Sequence, residues 1–175
     1  LLDIGSGNGI LPLLLVKNPF ITDIFGVEIQ RDVFNSFQKN IHLNNLENKI
    51  SAYNADIKEF FYENKFDYII SNPPYYKMNS GKLPESEEIL ISKFEVKLNL
   101  EELIFSIKRL LKNHGKFFII IISDRFNDTM KYIYSNNLSI IRVKAISHNS
   151  NTKFLLIEGQ NGGTLKRSYF EIENI

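Results

Sequence analysis

Apolar and polar positions alternate along the chain in blocks that predict strands and helices taking turns. Leu1-Leu2-Asp3-Ile4 opens as a short strand, a glycine-rich turn follows, and Ile10 to Val16 continues at helical spacing until Asn18-Pro19 breaks it. Ile24 to Glu28 reads as a buried strand ending in an acid. Val33, Phe34, Phe37 and Ile41 then form one core-facing stripe of a helix from Asp32 to Leu43, ended by Asn44-Asn45. Ile50 to Tyr53 is a third strand, followed by a short helix from Ile57 to Tyr62 that Asp56 can cap. Lys65 to Ser71 is the fourth strand. Leu103, Ile104, Ile107, Leu110 and Leu111 predict a helix over Leu100 to Leu111, opened by a capping box of Asn99 and Glu102 and stopped by Gly115. From Phe117 to Ile122 the chain is apolar without a break, which predicts a strand buried on both faces of a parallel sheet. Ser123 or Asp124 can cap a further helix through Tyr134. Ser139 to Ile146 and Phe154 to Glu158 are two strands whose connection is too short for a crossover helix, so they form an antiparallel hairpin. The tail from Gly159 onward reads as solvated or as an edge strand.

Strands alternating with helices predict an α/β fold around a largely parallel sheet. A length of 175 residues, without repeats or breaks in composition, fits one domain over residues 1–175. Because Leu1 already lies inside a strand, a native N-terminal segment is expected to be missing. A net charge of +1 gives no strong electrostatic signature of a nucleic-acid binder. The absence of cysteine excludes disulfides, thiolate metal sites and cysteine nucleophiles. No apolar run reaches membrane-spanning length and no signal peptide is visible. A cytoplasmic, metal-free protein with no membrane partner, most simply a monomer, is the expectation. His42 reads as a helix-surface residue and His114 as a helix-end residue. The basic residues Lys108, Arg109, Lys112 and Lys116, and the pair Lys166-Arg167, read as solvated charge before they read as a phosphate-binding patch.

The chemistry begins at Gly5-Ser6-Gly7-Asn8-Gly9. Glycines let the backbone turn sharply and come close to a ligand. A dinucleotide fingerprint would place its third glycine where this chain has Ile10. Glu28, about 20 residues beyond the loop, stands where a carboxylate accepts both ribose hydroxyls of a nucleoside cofactor. The run Asp3-Ile4-Gly5-Ser6-Gly7-Asn8-Gly9 resembles the first motif of class I S-adenosylmethionine (SAM) methyltransferases. The resemblance implies that Asp3, Gly5 and Gly7 shape the methionine end of a SAM site, that Glu28 holds the ribose, that Asp56 and Ile57 hold the adenine, and that Asn8, Gly9 and Ile29 also belong to the cofactor site. It also implies a Rossmann-like fold: a seven-stranded, mostly parallel sheet with a C-terminal antiparallel hairpin and helices on both faces.

Asn72-Pro73-Pro74-Tyr75 follows the fourth strand at the carboxyl edge of the sheet, where open α/β sheets bind ligands. The prolines fix φ and donate no N–H, so the loop offers a stiff set of acceptors with an aromatic ring beside it. Two acceptors can hold the two hydrogens of an NH₂ group and leave its lone pair free for an electrophile. The tetrapeptide matches the catalytic motif of amino-group methyltransferases, which act on adenine N6, cytosine N4, guanine N2 or glutamine Nδ. The resemblance thus assigns Asn72, Pro73, Pro74 and Tyr75 to catalysis, and Asn72 also to the cofactor. Tyr76-Lys77, a long polar loop from Met78 to Lys97 read as a lid, and Lys93-Phe94-Glu95 make the layout similar to the bacterial tRNA(Val) adenine-N6 methyltransferase family, a small-domain group. That family carries an Arg-His-Glu-like triplet of which only Glu95 is matched here. The similarity implies methyl transfer from SAM, leaving S-adenosylhomocysteine, to adenine N6 in the anticodon loop of tRNA(Val), with tRNA as partner. A glutamine methyltransferase of release factors, or an rRNA or DNA amino-methyltransferase, is the alternative of like chemistry. A module that binds SAM without catalysis is disfavoured by the intact Asn72 to Tyr75, and a nicotinamide oxidoreductase by Ile10.

Overall fold

The computed structural model of the protein describes residues 1–73, 97–148, 151–162 and 168–174. Its elements are β1 (Leu2–Ile4), α1 (Ile10–Leu15), β2 (Ile24–Glu28), α2 (Arg31–Leu43), β3 (Ile50–Asn54), β4 (Phe66–Ser71), α3 (Leu100–Leu110), β5 (Leu111–Ile122), α4 (Phe126–Ser135), β6 (Leu138–His148), β7 (Asn151–Asn161) and β8 (Tyr169–Asn174). One mixed sheet holds these strands in the order β3-β2-β1-β4-β5-β7-β6-β8. β1 to β5 run parallel, β7 is antiparallel to both neighbours, and β8 lies parallel to β6. The strand order reverses between β1 and β4, which opens a crevice at their carboxyl ends.

Register divides the core into two layers. Leu2 pairs with Phe25 and Ile4 with Val27, so these four point to one face, while Asp3 and Gly26 share the other. The first face joins α3, α4 and the long central strands in the larger apolar cluster. The second packs Ile24 and Ile50 against Phe37 and Ile41 of α2, with Leu13 and Leu15 of α1 alongside. Phe37 is fully buried, and a Cβ at Gly9 or Gly26 would stand 2.0 or 2.4 Å from its ring. These two glycines are therefore set by packing.

Several expectations change. The sheet has eight strands, not seven, because Tyr169 to Asn174 pairs with β6. Glu171 and Glu173 on β8 reach Arg142 and Lys144 on β6, cross-strand partners of opposite charge. A single turn over residues 57–59 stands in place of the helix expected from Ile57 to Tyr62. Phe60 and Tyr62 are drawn into a ring cluster with Phe25, Tyr53 and Phe66. The Ile57 and Phe60 carbonyls accept hydrogen bonds from the Arg109 guanidinium at 2.7 and 2.8 Å, so the turn's own carbonyls are taken by α3. Strand β5 begins at Leu111, directly after α3, and takes His114 through a left-handed conformation (φ 62°) instead of ending a helix there. Phe117, Ile119 and Ile121 are buried, but Phe118, Ile120 and Ile122 only half so, which leaves the second face of β5 less covered than expected. Neither Ser123 nor Asp124 caps α4 with its side chain. A 3-10 turn over Ser123–Arg125 leads into it. The capping box of Asn99 and Glu102 forms as read, with both reciprocal hydrogen bonds.

The basic residues around α3 disperse into separate structural roles. Lys108 bonds Asn137 and Asn161, Lys112 pairs with Asp67, and Lys116 pairs with Glu158. Lys166, Arg167 and the loop from Met78 to residue 96, with Lys93-Phe94-Glu95, lie outside the described residues.

Candidate active site

A cleft of about 490 Å³ opens at the carboxyl edge of β1 to β4. It gathers Asp3, Gly5, Gly7, Asn8, Glu28, Ile29, Asp56, Ile57 and Asn72 from four different strand ends. Gly9 does not line it; that residue lies against the Phe37 ring. Pro73 is buried beside the cleft without lining it, and Pro74 and Tyr75 lie outside the described residues.

The glycine loop is held in shape from outside. Gly5 and Gly7 sit at φ 70° and 57°, which side-chain-bearing residues rarely adopt, and a Cβ on either would meet open space. The Gly5 and Ser6 amides donate to the Val27 carbonyl, and the Asn40 amide on α2 donates to the Asn8 carbonyl at 2.9 Å. Glu28 closes the loop. Its Oε2 accepts from the Gly7 amide at 2.9 Å and its Oε1 from the Gln30 amide at 2.8 Å. Those two bonds occupy two of about four acceptor positions on the carboxylate, so two remain for ligand hydroxyls. Asn54 steadies the same strand end by donating to the Glu28 and Ile29 carbonyls.

Asp3 is the electrostatic outlier. It is 1% exposed, and neither carboxylate oxygen has a hydrogen-bond partner among the described residues. Burial, reinforced by the charge of Glu28, pushes its pKa up to about 7. The Ser6 hydroxyl, also buried, is likewise unpartnered among the described residues. A buried carboxylate without a donor is costly unless something completes it. On the far side of the cleft, Asp56 Oδ1 accepts from the Lys58 amide at 2.9 Å, capping the turn. Ile57, Ala55 and Leu98 supply apolar wall beside it. Asn72 is exposed at the tip of β4, whose Ser71 hydroxyl donates to the Ile4 carbonyl at 2.8 Å and locks the two strand ends together.

Sequence reasoning missed the braces. Asn40, Asn54 and Arg109 touch the site only through long-range side-chain bonds to carbonyls, and local patterns carry no sign of these. It also missed Leu98, which lines the cleft from the approach to α3 together with Lys97, the last residue of the loop read as a lid. Among the described residues three carboxylates, Asp3, Glu28 and Asp56, line the cleft against one lysine, Lys97. Such a cleft suits a cationic or neutral ligand and repels a pyrophosphate. Among the described residues no group of histidines and carboxylates could hold a metal ion, and no helix is long and apolar enough to cross a membrane.

The profile of the methyltransferase small domain family matches residues 1–141. A relative from Dyadobacter fermentans named tRNA1(Val) (adenine(37)-N6)-methyltransferase is 33% identical over 120 residues, 69% of this chain and 49% of that protein. One of the same name from Flavobacterium psychrophilum is 26% identical over 99% of this chain and 75% of its own. The chain thus spans about half the length of the Dyadobacter relative. Among solved structures, a S-adenosylmethionine-dependent methyltransferase from Clostridium acetobutylicum superposes with a TM-score of 0.65 at 14% identity, covering 93% of this chain and 83% of that one. The fold is therefore the Rossmann-like methyltransferase fold, extended here by β8 at the sheet edge.

Proposed function

The chain belongs to the methyltransferase small domain family, and on that footing we propose that it transfers a methyl group from SAM to the exocyclic amino group of a nucleobase, namely adenine N6 in the anticodon loop of tRNA(Val). The observation that carries this reading is the meeting of Asn72 with Asp3, Glu28 and Asp56 in one cleft. The names of the relatives support tRNA as the partner. The protein acts in the cytoplasm as a monomer, and residues 1–175 form one domain.

The residues fit the cofactor. The Asp3 carboxylate, without a partner among the described residues, answers a cationic amino group, and Gly5 and Gly7 leave room for the amino-acid chain. Glu28 retains acceptors for two ribose hydroxyls, and Asp56 offers Oδ2 to an adenine amino group with Ile57 beside the ring. When bound, SAM supplies a methyl group already activated on its sulfonium. The protein's task is then orientation and electrostatics, without a covalent intermediate. Asn72 and the Pro73 carbonyl hold the two amino hydrogens, Tyr75 stacks on the base, and Pro74 keeps the loop stiff. The proton leaves the nitrogen after methylation, so no strong general base is required.

The test offers methyl-labelled SAM to the full-length protein with unmodified tRNA in one tube and unmethylated release factor in another. Label is expected in N6-methyladenosine. Label only in the release factor would keep the cleft and replace the substrate. Asn72→Ala should lower transfer by about 100-fold or more while SAM affinity stays within about threefold. Loss of SAM binding in that variant would contradict the division of roles.

A further inference from the structure

Lys58 does not line the cleft, yet its ammonium ties together two parts that do. Its Nζ lies 3.4 Å from Asp56 Oδ2 and donates to the Lys97 carbonyl at 3.2 Å. It also stands 3.6 Å from Glu102 Oε1, whose other oxygen accepts from the Asn99 amide in the capping box of α3. Lys58 further supplies the backbone amide that Asp56 Oδ1 accepts. One residue thus fixes both oxygens of Asp56, one through its amide and one through its side chain. The same ammonium anchors the chain at Lys97, next to Leu98, which lines the cleft with Ile57.

The carboxylate plane matters because an adenine amino group and a hypoxanthine oxygen differ only in donor against acceptor. A carboxylate only accepts, so it discriminates as long as it stays aimed at the ring edge, and contacts at both oxygens hold that aim. The pair is about a third exposed, so its Coulomb energy is screened and its contribution lies in geometry. On the reading of the cleft as a SAM site, we infer that Lys58 is a positioning residue that orients Asp56 and the Lys97–Leu98 wall, and thereby sets selectivity for the 6-amino group of the cofactor.

The experiment titrates S-adenosylhomocysteine and S-inosylhomocysteine into the full-length protein and compares the ratio of affinities. The unmodified protein should prefer the adenine compound by about tenfold or more, since the wrong group faces a carboxylate. Lys58→Met should cut that ratio by about three- to tenfold, since it removes the ion pair to Asp56 and the hydrogen bond to the Lys97 carbonyl and keeps only the backbone amide contact. Lys58→Arg, which can still reach Asp56 and the Lys97 carbonyl, should restore it. An unchanged ratio in Lys58→Met, or equal weakening of both compounds, overturns the role of Lys58 and leaves the cofactor reading intact. A protein that binds neither compound overturns the cofactor reading and this inference with it, and one that binds both alike before any substitution overturns the adenine role of Asp56 and this inference while leaving the cofactor reading intact.

Discussion

Asp3 and Glu158 are two carboxylates buried to nearly the same depth, 1% and 6% exposed, and their surroundings are opposite. Glu158 on β7 accepts from Lys116 at 3.0 Å and from Arg142 at 2.7 Å. Burial alone would raise its pKa, but the hydrogen bonds and charges of Arg142 and Lys116 outweigh it and hold the group below its ordinary value. Asp3 on β1 has burial and the Glu28 charge acting together, with no donor among the described residues. One carboxylate is completed by the protein and stabilises the sheet. The other faces the cleft with no partner among the described residues. The glycines divide the same way: Gly9 and Gly26 yield space to Phe37, while Gly5 and Gly7 yield space to the cleft.

The sharpest break in this comparison is Gly9→Ala. The φ of 86° and a Cβ 2.0 Å from the Phe37 ring should together cost about 3 kcal/mol or more, measured by denaturant unfolding. Gly7→Ala meets open space, so it should cost only about 1 kcal/mol of backbone strain while weakening SAM binding. Equal destabilisation in the two variants would erase the distinction between packing and ligand glycines. Next in size, Glu158→Gln leaves Arg142 and Lys116 facing a neutral group. Both cations are about half exposed, so the loss should be about 1–2 kcal/mol, below that of a fully buried pair. Because its folded-state pKa is lowered, the Glu158 contribution is present above the ordinary carboxylate pKa and fades as pH falls through the folded value. SAM affinity should not change in that variant.

These contrasts also show which parts of the molecule were legible from sequence. The glycine loop, Glu28 and the α2 stripe are encoded within a few residues or at a fixed strand-to-strand spacing, so pattern alone places them. The lone state of Asp3 is a different kind of fact. It depends on Gly26 standing beside it in β2 and on no donor arriving from β4, and only the assembled register reveals this. Arg109 was grouped with its basic neighbours because its acceptors, the Ile57 and Phe60 carbonyls, are 52 and 49 residues away. The same long-range bonds explain why a helix expected after Asp56 is a single turn. Strand β8 stood only as one of two readings of the tail, solvated or edge strand, because its apolar residues, Phe170 and Ile172, are exposed at the edge and show no burial pattern.

For the protein without ligand, the raised pKa of Asp3 gives stability a definite slope. An acid that holds its proton more tightly when folded stabilises most below its unfolded value of 3.8, and that contribution is lost as pH rises to about 7. The loss is at most about 1.4 kcal/mol per pH unit, and Asp3→Asn should remove it.

Ligand binding reverses the sense, and the decisive measurement follows from that. A cationic cofactor needs Asp3 charged, so binding must expel its proton. Calorimetric titration of SAM into the full-length protein and into Asp3→Asn, from about pH 5.5 to about pH 7, measures this directly. Affinity of the unmodified protein should rise with pH by up to about tenfold per unit, with proton release on binding. The variant should bind about tenfold or more weakly near neutral pH, with a flat profile. A flat profile in the unmodified protein, or undiminished SAM affinity in Asp3→Asn, would contradict the claim that the cleft is built around a carboxylate awaiting a cationic ligand.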